Sequence, residues 1–305
     1  MPRDRSDAFD FVLCPSYHGA TLLSCLLSNH SQVTALGDTV PIDRLVGKAV
    51  CGCGDVMSEC EFWTELTDRV SAGGENRDQR LLPLYPAVLE AETLNRVLMR
   101  ALGYASVLTT PALWKVVGPQ ARRYVSLYRR FYDAALDMQR TSRFVDGQKS
   151  LLKVPVFIAV EGASRVRTMH LVRDPRAAYY SNARRGRAPA PEVFGQQWKK
   201  AHERIVATTR HLPRDRYHRL RHEDICADPT AAMDRVQDFL GLKREVLVRS
   251  STAAADKHVV GNEMLKTFDG TIRLDQRWKE AVSPDDQKAI VSAASPLFTE
   301  MGYEA

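Results

Sequence analysis

Phe11-Val-Leu-Cys-Pro-Ser-Tyr-His-Gly-Ala-Thr-Leu-Leu-Ser-Cys-Leu-Leu27 is the stretch that decides the fold. Phe9 to Leu13 is an apolar run of the length of a buried strand. Pro15, Ser16 and Gly19 interrupt it with turn formers. Leu22, Leu23, Leu26 and Leu27 then return at helical spacing, as far as Asn29-His30-Ser31. A strand, a tight turn and a helix start form an anion cradle, because the free N–H groups of the first helical turn and the positive end of its dipole both favour negative charge. Gly19 admits a close backbone approach, and the Ser16 and Thr21 hydroxyls are potential donors. The turn lacks the Gly-Lys-Ser/Thr ending of an ATP or GTP loop, which argues against a magnesium–nucleotide site. An ordinary strand–turn–helix at a sheet edge is the alternative reading of the loop by itself.

Further strand–helix units succeed it along the chain. Arg143-Phe-Val-Asp-Gly-Gln-Lys149 reads as a short strand delivering Asp146 and Lys149 beside the first loop. Thr168-Met-His-Leu-Val-Arg-Asp-Pro175 is an apolar run closed by Arg173, with Asp174 and Pro175 opening a helix that continues through Ser181 to Arg184. Tyr217 to Asp224 reads as a strand with acids at its end, Thr230 to Leu240 as a helix stopped by Gly241, and Pro284 as the start of a last helix. This alternation predicts an α/β, P-loop-like three-layer fold, with a mainly parallel central sheet flanked by helices. Between Thr64 and Arg140 the pattern is helical over Ala87–Leu102 and Gln120–Met138, punctuated by Pro111 and Pro119, with a polar loop from Ser71 to Arg80. Residues 64–142 therefore read as a helical insertion, expected to shape an acceptor pocket within a single domain spanning 1–305.

Composition narrows the function. Apolar content of 44% with 26% charged residues describes a globular chain, and no apolar run reaches the ~20 residues of a membrane span. The charged start Met-Pro-Arg-Asp-Arg leads directly into the first strand, so a cytoplasmic location is expected. The net charge of +6 is concentrated: Arg165 to Arg187 holds seven arginines and one acid, Asp174. Beside an anion loop, such a cluster suits a small polyanion better than a nucleic acid; a solvated basic face is the alternative. Cys51-Gly-Cys53-Gly-Asp-Val-Met-Ser-Glu-Cys60 holds three of six cysteines. No CxxC pair or nearby histidine supplies a fourth ligand, so buried thiols in a Gly-rich turn are favoured and no metal is expected.

Taken in order, these motifs resemble the sulfotransferase family that uses 3'-phosphoadenosine-5'-phosphosulfate (PAPS). Ser16-Tyr-His-Gly-Ala-Thr-Leu-Leu23 is similar to its 5'-phosphosulfate loop, and Leu171-Val-Arg-Asp-Pro-Arg-Ala-Ala-Tyr-Tyr-Ser181 to its 3'-phosphate motif. Cys51-Gly-Cys-Gly with Cys60-Glu-Phe-Trp63, Arg221-His-Glu-Asp-Ile225, the Gly261-Asn262 turn and Asp275-Gln-Arg-Trp278 extend the likeness, which is weakest from about 64 to 142.

The resemblance implies sulfuryl transfer from PAPS to a hydroxyl or amine of a small-molecule or lipid-like acceptor, leaving PAP, without a metal. Ser16, Tyr17, His18, Gly19, Ala20, Thr21 and Leu22 would hold the 5' end of the nucleotide. Arg173, Ser181 and Arg184, with Gly261 and Asn262, would complete its site. Tyr17 departs from the family's loop Lys or Arg, and His18 from its serine, so His18 or Lys149 is expected to supply the missing donor. Asp38 stands where related branches carry a Gly-Glu pair and is the first candidate base, with His18 the second. A non-catalytic nucleotide-binding protein on the same fold is the alternative, and the missing loop lysine disfavours a P-loop kinase.

Overall fold

Five short runs form strands: Phe9–Leu13 (β1), Val33–Thr34 (β2), Arg143–Asp146 (β3), Val166–Val172 (β4) and Tyr217–Arg221 (β5). They pair all-parallel in the order β2-β3-β1-β4-β5, as expected of strands alternating with helices. This is a computed structural model that describes residues 5–38, 50–71, 111–151, 153–247, 256–266 and 268–304. The α-helices among the described residues are Ala20–Ser28 (α1), Glu61–Ser71 (α2), Pro111–Gln139 (α3), Lys153–Glu161 (α4), Pro175–Ala183 (α5), Pro191–Thr209 (α6), His222–Ala227 (α7), Pro229–Leu240 (α8), Trp278–Ala281 (α9), Pro284–Ala294 (α10) and Leu297–Glu300 (α11).

Period-two alternation in β1 builds three layers. Phe11 and Leu13 join Tyr124, Tyr128, Phe131 and Phe157 of α3 and α4 on one face. Val12 joins Leu23 and Leu26 of α1 and Met233 and Val236 of α8 on the other. Burying each such side chain contributes on the order of 1.5–3 kcal/mol, so the sheet is held from both sides.

Two boundaries differ from the sequence reading. α3 runs through Pro119 rather than stopping there. The buried stripe Ala121, Tyr124, Val125, Tyr128, Phe131 and Leu136 holds it by packing, against the loss of one ladder hydrogen bond at the proline. β5 ends at Arg221, so Glu223 and Asp224 lie in the first turn of α7 rather than on a strand. Of the expected insertion, residues 72–110, including Ala87–Leu102 and most of the polar loop, lie outside the described residues.

The register aligns strand ends: Phe11 lies opposite Asp146, Leu13 opposite His170, and Val172 opposite Arg221. The segments after β1, β3, β4 and β5 therefore emerge on one edge, where open α/β sheets bind ligands.

A buried charge cluster pins the centre of the sheet. Asp10 accepts from Arg167 Nε at 2.6 Å and from Arg143 Nη1 at 3.0 Å, and Arg167 Nη1 donates to the Leu240 carbonyl at 2.8 Å. Burial raises the Asp10 carboxyl to about 6, an effect Arg167 partly offsets. Arg167→Met leaves this buried carboxylate with Arg143 alone, and the unfolding free energy should fall by about 3 kcal/mol near neutral pH. Denaturant titrations at about pH 8 and about pH 6 should show the smaller deficit at the lower pH, because without Arg167 the Asp10 carboxyl takes up its proton at a higher pH than in the wild type. An equal deficit at both pH values contradicts this assignment.

Candidate functional site

The loop between β1 and α1 is turned by left-handed backbone at Tyr17 (φ 65°) and Gly19 (φ 95°). Gly19 is required twice, because a Cβ there would also lie 2.4 Å from Nδ1 of His222, at the start of α7. His18 is not at the cradle, as the sequence reading expected. It is turned inward and 2% exposed, with Nδ1 2.9 Å from the Ser16 carbonyl oxygen.

Behind His18 runs a chain of buried rings. His18 Nε2 lies 3.2 Å from His202 Nε2, His202 Nδ1 lies 2.8 Å from His170 Nε2, and His170 Nδ1 lies 2.6 Å from the Tyr217 hydroxyl. Burial pushes His18 and His170 down to about 3 and His202 well below its ordinary value, so all three rings are neutral. The donor order is then fixed. The Ser16 carbonyl can only accept, so His18 carries its proton on Nδ1, and its Nε2 accepts from His202 Nε2–H. His202 Nδ1 accepts from His170 Nε2–H, and His170 Nδ1 accepts the Tyr217 hydroxyl proton. With both ring nitrogens engaged and no charge, His18 is a support for the loop, neither a cationic donor nor a free base.

Arg173 closes the cradle from the end of β4. Its Nη1 donates to the Tyr17 carbonyl at 2.8 Å and to Ser181 Oγ at 3.1 Å, and Trp198 Nε1 holds its own carbonyl at 3.1 Å. Arg173 Nε is buried without a hydrogen-bond partner among the described residues, an orphaned charged donor beside the loop. On the opposite side, Lys149 Nζ (φ 60° at this residue) donates to Asp38 Oδ2 at 2.8 Å. Burial depresses the Lys149 ammonium, but neighbouring Cys14 and Asp38 lift it net above its ordinary value. The Asp38 amide donates to the Val260 carbonyl at 2.9 Å, and the Asn262 amide faces Thr21 Oγ1 at 3.4 Å. Gly261 fits there because a Cβ would meet Thr21 Cγ2 at 2.4 Å. The loop, Arg173, Ser181, Asp38, Lys149, Gly261 and Asn262 are therefore gathered at one edge.

Residues 165–245 match the model described as the Sulfotransferase family. The sulfotransferase domain of the Synechococcus PCC 7002 olefin synthase superposes with a TM-score of 0.56 at 19% identity, over 100% of this chain and 98% of that one. The sulfotransferase domain of the curacin biosynthetic pathway gives 0.51 at 18% identity, over 98% and 99%. No curated protein sequence matches. The chain has the sulfotransferase fold.

On this fold the matched segment carries Arg173, Ser181 and Arg184, while the loop, Asp38 and Lys149 lie outside it. Asp146 does not reach the sulfotransferase-fold edge as expected. It is buried and accepts from Lys153 Nζ at 2.5 Å, from the Gln148 amide at 2.8 Å and from the Tyr132 hydroxyl. The seven arginines divide by partner: Arg165 pairs with Glu161, Arg167 with Asp10 and Arg176 with Asp174. Arg187 Nη1 instead donates to the Tyr17 hydroxyl at 3.1 Å, and the Arg185 guanidinium lies 5.4 Å from the Tyr17 ring centroid. Positive charge missing from the loop is thus brought to it from beyond α5. Arg184 lies over the Tyr180 ring, 5.8 Å from its centroid. His202, His222 and Arg187 escaped the sequence reading as site residues; for Arg187 the run of arginines after the Arg173 motif was the one visible signal, and Arg185 was expected with Arg184 to add to the phosphate grip.

The histidine chain makes a pH prediction. His18, His170 and His222 sit at about 3 and His202 well below its ordinary value, all through burial, whereas the unfolded residues titrate near 6.5. The unfolded chain takes up protons that the native one refuses, so stability is complete above about pH 6.5 and is lost as the pH falls. Each histidine contributes about 1.4 kcal/mol per pH unit, so the four together should bring the slope to ~5–6 kcal/mol per unit well below pH 6. Denaturant unfolding across this range checks it, and His202→Gln should flatten the slope; flat wild-type stability contradicts it.

Proposed function

We propose that this protein transfers a sulfuryl group from PAPS to a hydroxyl or amine of a small-molecule or lipid-like acceptor. The observation that carries the reading is Arg173, whose buried orphaned Nε and Ser181-directed Nη1 stand against the anion loop. A guanidinium with a buried nitrogen unpaired among the described residues, beside the anion loop, calls for a ligand bearing phosphates at two places. The donor set therefore fits PAPS, which would supply a sulfuryl group on a good phosphate leaving group. Arg173 and Ser181 would hold the 3' phosphate, while the first-turn amides of α1, Ser16 and Thr21 would hold the 5' end.

Lys149 and Asp38 divide the remaining work. Asp38 is the group to take the acceptor's proton, and Lys149, 2.8 Å away, orients it and places positive charge beside the loop. Arg185 and Arg187, gathered on Tyr17, add the charge that the loop itself lacks. The free cysteines among the described residues suit a reducing, cytoplasmic setting. No helix among the described residues is long and apolar enough to cross a membrane.

Uncharged Tyr17 also favours a second reading, a nucleotide-binding protein without transfer activity. Two variants separate the readings. Arg173→Ala with Ser181→Ala should weaken PAP binding about 100-fold or more, since charge-assisted bonds contribute about 1.5–3 kcal/mol each. Asp38→Asn should bind PAP within a few-fold of wild type yet lose about 10²–10⁴ in sulfuryl transfer, measured on a panel of phenols, alcohols and amines. Unchanged PAP binding in the double variant overturns the donor assignment. Wild-type protein that binds PAP but transfers nothing, even to water, leaves the second reading.

A further inference from the structure

Three thiols and an imidazole that the sequence keeps far apart meet beside the Asp38 wall. Cys51, Cys53 and Cys60 come from one turn, and His258 stands almost two hundred residues later. The three Sγ atoms and His258 Nδ1 all lie within 4.8 Å of one another. His258 Nδ1 is 3.6 Å from Cys51 Sγ and 3.4 Å from Cys60 Sγ, and Cys53 Sγ is 3.6 Å from Cys60 Sγ. A tetrahedral zinc with Zn–S of ~2.3 Å and Zn–N of ~2.0 Å has ligand–ligand edges of ~3.8 Å between sulfurs and ~3.5 Å between sulfur and nitrogen. The observed separations are close to those edges. The fourth ligand that the sequence reading did not find is His258.

The backbone supports the cluster independently. Cys51-Gly-Cys-Gly54 folds as a tight turn, with the Gly54 amide donating to the Cys51 carbonyl at 2.9 Å and Gly54 at φ 105°. The Gly52 amide donates to the Val259 carbonyl at 2.8 Å, and Cys51 bridges Val260, so the turn is laced to the residues just after the histidine. His258 is held at φ 53°, an uncommon conformation outside glycine, with its ring stacked on Phe62 at 4.5 Å and 2°. Neutral thiols are weak hydrogen-bonding groups and give little return for such an arrangement.

We propose that Cys51, Cys53, Cys60 and His258 bind one structural zinc ion. Three thiolates and one imidazole in tetrahedral array favour zinc among the common divalent ions, and four protein ligands leave no position for a substrate. Binding releases the three thiol protons to solvent and leaves His258 with its proton on Nε2. The ion ties the turn ahead of α2 to residues 256–262, whose Val260 carbonyl accepts from the Asp38 amide and whose Asn262 faces Thr21. It thereby braces one wall of the anion site without taking part in transfer.

Full-length protein made with zinc in the medium and purified under reducing conditions, without chelator, should carry one zinc per chain by elemental analysis. Cobalt replacement should give a thiolate-to-cobalt charge-transfer band and intense tetrahedral ligand-field bands. Cys53→Ser, at the exposed ligand, and His258→Gln should each lower metal content about tenfold or more and lose those bands. Cys226→Ser, a cysteine outside the cluster, should keep both. Titrating wild-type thiols with a mercurial should release the zinc in step with three of them, a readout that does not depend on the variants folding. Wild-type protein with no zinc and no cobalt spectrum, or full metal content in both ligand variants, overturns the proposal.

Discussion

Because β1 lies between β3 and β4, with all five strands parallel, the chain leaves β1 toward β2 and β3 on one side and later returns to β4 and β5 on the other. The loop after β1 therefore sits where the two halves of the sheet part, the place at which open α/β sheets leave a crevice for a ligand. Parallel pairing then brings the segments after the other strands to the same edge, each with one group: Lys149 after β3, Arg173 after β4 and His222 after β5. The site is a consequence of strand order and register. The Asp10–Arg167–Arg143 cluster fixes both at the sheet's centre.

Electrostatics at that edge is a matter of which charges are already spent. Asp10, Asp146 and Asp174 consume Arg167, Lys153 and Arg176 in structural pairs. Arg173 keeps an orphaned nitrogen, and Arg185 and Arg187 turn to Tyr17. Behind them a row of neutral histidines carries hydrogen bonds without adding charge, so the loop is braced and the positive potential is left to the arginines.

The local elements were legible in the sequence wherever periodicity and caps agreed. Phe9–Leu13, the helix from Ala20, the Asp174-Pro175 start and the helix ending before Gly241 all stand where the pattern put them. Of the candidate site, Arg173, Ser181 and Asp38 were named by the family resemblance and Lys149 by its place after a strand, and the structure joins them as Arg173 with Ser181 and Lys149 with Asp38. The residues that escaped depend on long-range contact. His18 was read as facing the ligand because a loop's side-chain directions are not periodic. His258 gave no sign of its cysteine partners, and the destination of Asp146 was decided by Lys153 and Tyr132 from two helices.

The central claim is that two anion-binding points at one sheet edge accept a nucleotide phosphorylated at both ends of its adenosine. Calorimetric titration of the unmodified protein with 3',5'-diphosphoadenosine, alongside ATP and AMP, tests it without knowledge of the acceptor. The account predicts saturable one-to-one binding of 3',5'-diphosphoadenosine, at least about 100-fold tighter than that of ATP or AMP, which lack the 3' phosphate. Equal affinity for all three, or no binding of the diphosphate, would contradict it.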